Sequence, residues 1–527
     1  VRKRGVRERR CRPMMGILRT ILFAATGLAA TGAAFAQQTD SASLFRTQRE
    51  HASPVAALAA TAYATPALRS EAFSGSLSEI SVGYEMRREE KALEQQKGDG
   101  GDFGRFSAGS YKHISGKGTV WGDAGYLRGA KRNVVWNASS DYDLVFPYVV
   151  ADSIGGDLTS EEYTFGGGYG HRSGRYTWAL EAGARALHEY RDSDPRIRNV
   201  AIDIDAGAGA SVRMGNYRLG LSAALRVYKQ SGSQIQYAHS AGEKGVYHLS
   251  GLGSHYAGFE GNANSQTRYR GSGYGLTLAL VPDAGRGGLH LAAGYEYLHI
   301  EKELPGSADL VLQKVVPRSF HAEAAWLRGS GNGLRWGVAL KARYDYRRGD
   351  EGIVDDNNSS QGSGTLGFLT LFEYSALQGR AEAVFGVEAA GHAWYVCPWG
   401  EYRRRTSDYL YPAQNMEFTR AGGGVDFRCV LQRRSLLLRL EAGGGYTAGL
   451  DSGLTLPVAD LAAPLVRMVQ YDYGRLRQDA ATFRLGLRAD YALRRRMSLF
   501  LAADYGGGLY GDNTAAHHAR VACGIAF

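Results

Sequence analysis

The sequence predicts an all-β fold, a transmembrane antiparallel up-and-down β-barrel of about 18 strands. Three observations support this prediction. Segments of about 9–11 residues alternate apolar with charged or small side chains, as membrane-spanning strands do. Short and long connections alternate between these segments. Beyond the N-terminal segment, the chain has no apolar run long enough to cross a membrane as a helix.

The N-terminal residues have the features of a secretory signal peptide. The stretch "MMGILRTILFAATGLAATGAAFAQQ" contains the basic Arg19, an apolar run and the small residues of an A-x-A cleavage site. We therefore predict a signal peptide over residues 1–36, whose first residues are an extended basic region or an over-called start. Residues 37–75 form a separate N-terminal segment, and residues 76–527 form the predicted outer-membrane β-barrel.

The N-terminal segment is rich in helix-favouring residues. Ala and Leu predominate between Pro54 and Pro66, which predicts a short helix there. Two placements remain open at this point. The segment either enters the barrel lumen as a plug or lies in the periplasm.

The charge of the chain argues against nucleic acid as a partner. The net charge is +10, but residues 1–36 hold eight basic residues and one acidic residue, so the rest is nearly balanced. A nearly balanced chain offers no basic surface of the kind that binds nucleic acid. Beyond residue 36 the cysteines are Cys397, Cys429 and Cys523. Their odd number and irregular spacing predict neither a disulfide framework nor a zinc site.

The predicted strands follow from the period-two pattern. In one of them, Tyr176, Trp178 and Leu180 alternate with Thr177 and Glu181. Such a strand has one apolar face for lipid and one polar face for the lumen. The predicted strands begin near residues 76, 103, 118, 162, 175, 200, 216, 269, 288, 319, 334, 365, 380, 416, 435, 481, 497 and 518.

The connections fall into two alternating classes. The short ones read "SGKG", "RSG", "MGN", "PDAGRGG", "RGSGNG", "ALQG", "QRR" and "RRR", and the largest long ones lie near 128–161, 228–268 and 447–480. Outer-membrane barrels have short periplasmic turns and long extracellular loops. We therefore place the short connections in the periplasm.

The last strand, "ARVACGIAF", directs Val521, Cys523, Ile525 and Phe527 towards lipid if the alternation holds. We expect it to pair with the first strand, because a sheet in lipid cannot leave an edge unpaired. A terminal Phe on such a strand resembles the signal by which bacterial outer-membrane barrels are recognised for assembly. The expected partners of the barrel surface are outer-membrane lipid and lipopolysaccharide.

Two loop segments suggest a wider resemblance. The stretches "DLVFPYVVADSIGGDLTSEEYTFGGGYGHRSG" (143–174) and "YRDSDPRIRN" (190–199) resemble a family of uncharacterised outer-membrane β-barrels from Bacteroidota. The resemblance implies a Gram-negative outer-membrane barrel and assigns no catalytic residue.

The inward positions of the predicted strands carry charges of both signs, which gives two interpretations. They form a polar, porin-like conduit for a charged solute, or they only neutralise one another in a confined space. The candidate lumen residues are Arg175, Arg185, Arg218, Arg226, Lys341, Arg343, Arg484, Arg488, Glu181, Glu323, Asp345 and Asp490.

One long loop contains an unusually apolar stretch, Phe146-Pro147-Tyr148-Val149-Val150. Apolar side chains in an exposed loop call for a contact that covers them. We expect Phe146 and Tyr148 either to fold inward as a constriction or to contact another outer-membrane or surface protein.

The sequence lacks linear catalytic motifs. It contains neither H-E-x-x-H nor G-x-S-x-G, and we predict that the protein is not an enzyme and has no cofactor or metal site. The leading function is a channel or transporter for a polar solute. An accessory barrel subunit of a larger outer-membrane complex, such as a nutrient-uptake assembly, is the main alternative, and a hydrolase at the barrel rim is a remote one.

Overall fold

The computed structural model is dominated by one closed antiparallel sheet of 18 strands. It describes residues 41–232, 246–256, 266–283, 287–305, 310–329, 332–354, 365–457, 463–494 and 496–527. The predicted signal peptide therefore lies outside the described residues. Each barrel strand pairs with its neighbours along the chain, as expected for an up-and-down barrel.

The strands are numbered in chain order, and all except β4, β9 and β10 belong to the barrel. Their bounds are β1 Leu77–Glu89, β2 Gly100–His113, β3 Gly118–Val134, β4 Val150–Asp152, β5 Gly156–Ser173, β6 Tyr176–Tyr190, β7 Arg198–Met214, β8 Tyr217–Gly232, β9 Val246–Gly251, β10 Ser254–His255, β11 Thr267–Pro282, β12 Gly288–Leu304, β13 Leu310–Arg328, β14 Gly333–Val354, β15 Thr365–Glu388, β16 His392–Tyr409, β17 Gln414–Arg433, β18 Leu436–Thr455, β19 Ala480–Arg494, β20 Met497–Tyr510 and β21 Ala515–Ala526.

The predicted fold class and strand number are confirmed. Apolar side chains cover the exterior: Leu180, Leu225 and Leu340 are 57%, 69% and 65% exposed. The barrel closes where β1 pairs antiparallel with β21, with Ile80 opposite Ile525. This pairing leaves the barrel sheet without an edge, which a lipid-embedded sheet requires.

The predicted turn at "ALQG" is wrong. Strand β15 continues through these residues without interruption, and Leu377 within them keeps the outward direction at 43% exposure. The strand that the prediction missed is β16, which pairs with β15 on one side and β17 on the other. Strand β16 was not recognised from the sequence because Pro398 lies in the middle of it, where proline is uncommon. The prediction counted β15 as two strands and omitted β16, so these two errors cancel and the predicted total of 18 is correct.

Residues 41–74 lie inside the barrel at the end with the short turns, and we call them the plug. They contain helices α1 Ser41–His51, α2 Pro54–Ala57 and α3 Pro66–Arg69. Pro54 and Pro66 begin the two short helices, where the missing amide hydrogen has no cost. Helix α1 hydrogen-bonds to β19 and β20, whereas α3 contacts β5 to β8. The plug thus reaches opposite sides of the lumen.

Three segments fill the lumen at the long-loop end, and we call them the cap. They are residues 135–155, which include helix α4 Tyr142–Val145, residues 246–256, and helix α5 Pro464–Leu476. Strands β4, β9 and β10 pair as a small sheet that joins the first two segments. Parts of the long loops are therefore folded into the barrel.

Among the described residues, no helix is long and apolar enough to cross a membrane.

Candidate functional site

A charged cavity of about 840 Å³ lies between the plug and the cap, and we call it the chamber. Its floor includes Arg69 of the plug, and its ceiling includes Tyr142 and Phe146 of the cap. Inward side chains of the barrel form the walls. The charged residues that line it are Arg69, Arg185, Arg226, Arg318, Arg343, Arg347, Arg405, Glu94, Asp123, Asp143, Glu181, Asp203, Asp205, Glu296 and Asp345.

One side of the chamber, on strands β3 to β12, is mainly acidic, and we call it the acidic wall. It presents Asp123, Glu181, Asp205 and Glu296. Glycines on neighbouring strands make room for two of these carboxylates. A Cβ on Gly183 would lie 2.6 Å from an oxygen of Asp205, and a Cβ on Gly166 would lie 3.1 Å from an oxygen of Asp123. The glycines therefore allow the carboxylates to lie flat against the wall.

Two arginines of the acidic wall are already neutralised. Arg185 Nη2 lies 2.6 Å from Asp141 Oδ2 and its Nη1 lies 3.3 Å from Glu162 Oε2. Arg226 donates to both oxygens of Asp203, at 2.9 Å from Nε and 2.6 Å from Nη2. Both arginines belong to the predicted lumen set, and both line the chamber.

The opposite side, on strands β14 to β16, presents arginines, and we call it the basic wall. Arg343 Nε lies 2.9 Å from Asp345 Oδ1. The guanidinium groups of Arg347 and Arg405 lie 5.8 Å and 5.5 Å from the ring centre of Tyr374. Positive charge over an aromatic ring is a favourable arrangement, which fixes both groups in place.

Four other predicted lumen residues form ion pairs outside the chamber lining. Lys341 Nζ lies 2.8 Å from Glu382 Oε2 and 3.8 Å from Glu323 Oε2. Arg484 Nη2 lies 2.9 Å from Asp426 Oδ2. Arg218 Nε lies 2.6 Å from Asp283 Oδ1.

The plug uses several of the predicted lumen charges as attachment points. Arg218 Nη1 lies 3.0 Å from Glu71 Oε1 of the plug. Fully buried Asp490 accepts hydrogen bonds from Arg488 of the barrel and from Gln48 of the plug. These charges therefore hold the plug in the lumen rather than line the chamber.

Arg175 is not a lumen residue. It lies in the exposed turn between β5 and β6, and its guanidinium lies 4.9 Å from the ring centre of Tyr176. The prediction placed Arg175 inward because it is an even number of residues from Glu181, and strict alternation would direct both side chains to the same face. The hairpin turn interrupts that alternation, because Arg175 precedes the first residue of β6.

The apolar loop stretch is folded into the lumen. Tyr148 is 1% exposed, and its backbone carbonyl accepts a hydrogen bond of 2.8 Å from Tyr269 of β11. The ring of Phe146 meets that of Phe372 edge to face, with ring centres 5.5 Å apart. In this arrangement Tyr148 is not on a surface that another protein could contact.

The predicted lumen set omits ten charged residues that line the chamber: Arg69, Glu94, Asp123, Asp143, Asp203, Asp205, Glu296, Arg318, Arg347 and Arg405. Arg405 lies on β16, the strand whose pattern was not recognised. Asp123 and Arg347 both occupy inward positions of correctly predicted strands, so their alternation with outward residues would have found them. Arg69 lines the chamber only because the plug lies inside the barrel, and the sequence did not decide between that placement and the periplasm.

The cap contains a titratable group in a buried position. Burial raises the pKa of the Asp472 carboxyl on α5 to about 7, although hydrogen bonds from Gln96 and from the Gln95 amide oppose the rise. These bonds measure 2.8 Å and 3.2 Å. The cap helix therefore carries a carboxyl whose charge changes near neutral pH.

The chain belongs to a family of unknown function (DUF6850), whose model matches residues 66–527. No curated protein matches it by sequence. The closed sheet and the apolar exterior identify an outer-membrane β-barrel.

The chain is also similar to several solved structures. One is BauA, the ferric preacinetobactin receptor from Acinetobacter baumannii, at 9% identity and a TM-score of 0.38, covering 86% of this chain and 79% of that one. Another is the alcaligin outer-membrane receptor FauA from Bordetella pertussis, at 9% identity and a TM-score of 0.34, covering 84% and 76%.

Proposed function

We propose that this member of the DUF6850 family is an outer-membrane transport barrel that holds a polar, charged solute in the chamber. The observation that carries the proposal is the position of the chamber: it lies between a plug attached near the short turns and a cap at the long-loop end. A solute would enter past one closure and leave past the other. The plug and the cap would therefore act as two gates in series.

The walls of the chamber suit such a role better than they suit simple charge neutralisation. Neutralising pairs account for Arg185, Arg226 and Arg343. Carboxylates such as Asp205 and Glu296 are exposed to the chamber instead. Exposed polar groups that converge on one cavity are typical of small-molecule sites.

An accessory-subunit role has less support. That role was based on the expectation that Phe146 and Tyr148 contact a partner protein, but both side chains pack within the barrel. The proposed activity needs no bond-breaking chemistry from the protein, so the proposal is for a transporter rather than an enzyme.

Single-channel recording in planar bilayers tests the series arrangement. The plug is removed by deleting residues 41–74. The cap is opened by replacing residues 135–155 with a short turn, which is feasible because Val134 and Gly156 are cross-strand partners. The account predicts a silent native barrel, little change in either single variant, and steady openings when both changes are combined.

The alternatives give different records. Steady openings in the native barrel would contradict two closed gates. A double variant that is folded, as judged by its heat-dependent gel migration, and yet silent would contradict a transport path through the lumen.

A further inference from the structure

We infer that the chamber selects zwitterionic solutes with separated charges, of which short peptides with free termini are the matching class. The ammonium group would face the acidic wall and the carboxylate would face the basic wall. This inference rests on the proposed transport function and names its substrate class.

The acidic wall has carboxylates without a cationic partner. Within the part of the chain that the structure describes, no Lys, Arg or His nitrogen lies within 4.0 Å of Asp123, Asp205 or Glu296. All three are solvent-exposed and line the chamber. Glu296 interacts only at longer range with Arg226 and Arg343. Three carboxylates without a salt bridge in a partly enclosed space attract an ammonium group.

The basic wall has the complementary property. Arg347 donates to the backbone carbonyls of Phe146 and Asp143, the latter at 2.8 Å, and pairs with no carboxylate among the described residues. Among the described carboxylates, only Glu94 lies within 4.0 Å of Arg405, at 3.9 Å, and Asp143 and Asp472 interact with it at longer range. The positive charge of these two arginines is therefore only weakly compensated by acidic groups.

The two sets of uncompensated charges lie on different strands of the barrel. The carboxylates are on β3, β7 and β12, and the arginines are on β14 and β16. A near balance of total charge therefore conceals a segregated arrangement. Such a chamber has a field across the barrel, which favours solutes that carry one charge of each sign over those that carry only one.

The size of the chamber fits this class. Small-molecule sites commonly have volumes of about 300–1,000 Å³, and the chamber measures about 840 Å³. A peptide of a few residues fills a space of this order, and its free termini separate the charges.

Calorimetric titration of the detergent-solubilised barrel with tri-, tetra- and pentaglycine tests the inference. Each length is used with both termini free, with the amino end acetylated, with the carboxyl end amidated, and with both ends blocked. We expect the free peptide of the best-fitting length to bind most tightly. Each blocked end should weaken binding by roughly fivefold, which is the effect of one partly screened ion pair.

Two variants assign the ends of the peptide. The combined change Asp205→Asn and Glu296→Gln should abolish the preference for a free amino end and keep that for a free carboxyl end. Arg405→Met should do the reverse. The control Arg484→Met removes a lumen arginine that does not line the chamber, and it should leave both preferences unchanged.

The inference is overturned if the four end-forms bind equally at every length, if no form binds, or if the acidic-wall and Arg405 variants lose both preferences alike. These outcomes are distinct from failure of the transport proposal. Openings in the double-deletion variant with no peptide preference would leave a transporter of another solute class, whereas a silent double variant would refute transport itself.

Discussion

The plug and the cap close the same lumen but are attached in different ways. The cap packs into the largest cluster of buried apolar side chains, which includes Tyr148, Phe372 and Met468. The plug is divided among three smaller clusters, which contain Leu58, Leu68 and Ala67 in turn. Most of the buried apolar cap residues therefore lie in one cluster, although Ala138, Val150 and Val246 lie in a smaller one, whereas the plug is divided among separate clusters. We expect two closures attached in this way to open independently.

Both closures also form ion pairs with the barrel. The plug is connected to the barrel by charged side chains of the wall, such as Arg218 with Glu71. The cap helix is connected through Arg475, which is 4% exposed and lies 2.9 Å from Asp512 of the β20–β21 loop. Removing the carboxylate of either pair would leave a buried arginine unpaired, which is unfavourable. The ion pairs therefore help to hold both closures in the barrel.

The largest expected effect comes from removing one large apolar side chain from each closure. Tyr148→Ala in the cap should lower the stability of the cap by about 3–5 kcal/mol, and Leu68→Ala in the plug should lower that of the plug by about 2–5 kcal/mol. Hydrogen exchange followed by mass spectrometry measures both. Each variant should lose amide protection only in its own closure.

Tyr148→Phe is the matched control for the cap. The Tyr148 hydroxyl is buried and has no hydrogen-bond partner among the residues described. Its removal should therefore leave the protection unchanged or increase it slightly. Loss of plug protection in Tyr148→Ala would show that the closures are coupled and would contradict their independence.

A smaller expected effect is that the stability of the cap depends on pH, whereas that of the plug does not. In an open cap the Asp472 carboxyl would have its ordinary pKa of 3.8, and burial raises its pKa to about 7 in the closed cap. The closed cap binds the proton more tightly, so this contribution to closure is complete below the lower pKa and is lost as the pH rises through the higher one. Exchange of the α5 amides, corrected for intrinsic rates, should accelerate between about pH 4 and 7.

Asp472→Asn should remove this pH dependence, because the amide keeps an acceptor for Gln96 and carries no charge. The plug amides serve as the internal control and should exchange at corrected rates that do not change over this range. A pH dependence that persists in the Asn variant would assign it to another group.

The barrel itself could be predicted well from the sequence. Alternation fixes which face of a strand meets lipid, because a shift of one residue would expose every charge to the bilayer. Leu180 and Val521 are outward as predicted, at 57% and 51% exposure. Alternation gave the wrong result at two places. Pro398 interrupts it in β16, and a turn interrupts it at Arg175.

The interior of the lumen could not be predicted in the same way. The sequence of β9, Val246–Gly251, does not show that this strand packs inside the barrel. Its partner β4 is distant in the sequence, so the pairing cannot be inferred from local pattern. The charged wall residues could be found by alternation, but their pairing depends on register between strands. Arg405, for example, lies opposite Ala376 on the strand that the prediction had divided.

The most direct test of the proposal that the chamber is closed at both ends is the reactivity of a thiol placed within it. Thr164 lines the chamber and Ser173 lies in an exposed turn region, so Thr164→Cys is compared with Ser173→Cys after the natural cysteines are replaced by serine. In the intact barrel, a membrane-impermeant maleimide should label the Ser173→Cys variant rapidly and the Thr164→Cys variant slowly. Labelling of the Thr164→Cys variant should become fast when either the plug or the cap is removed. Fast labelling of that variant in the intact barrel would contradict the account.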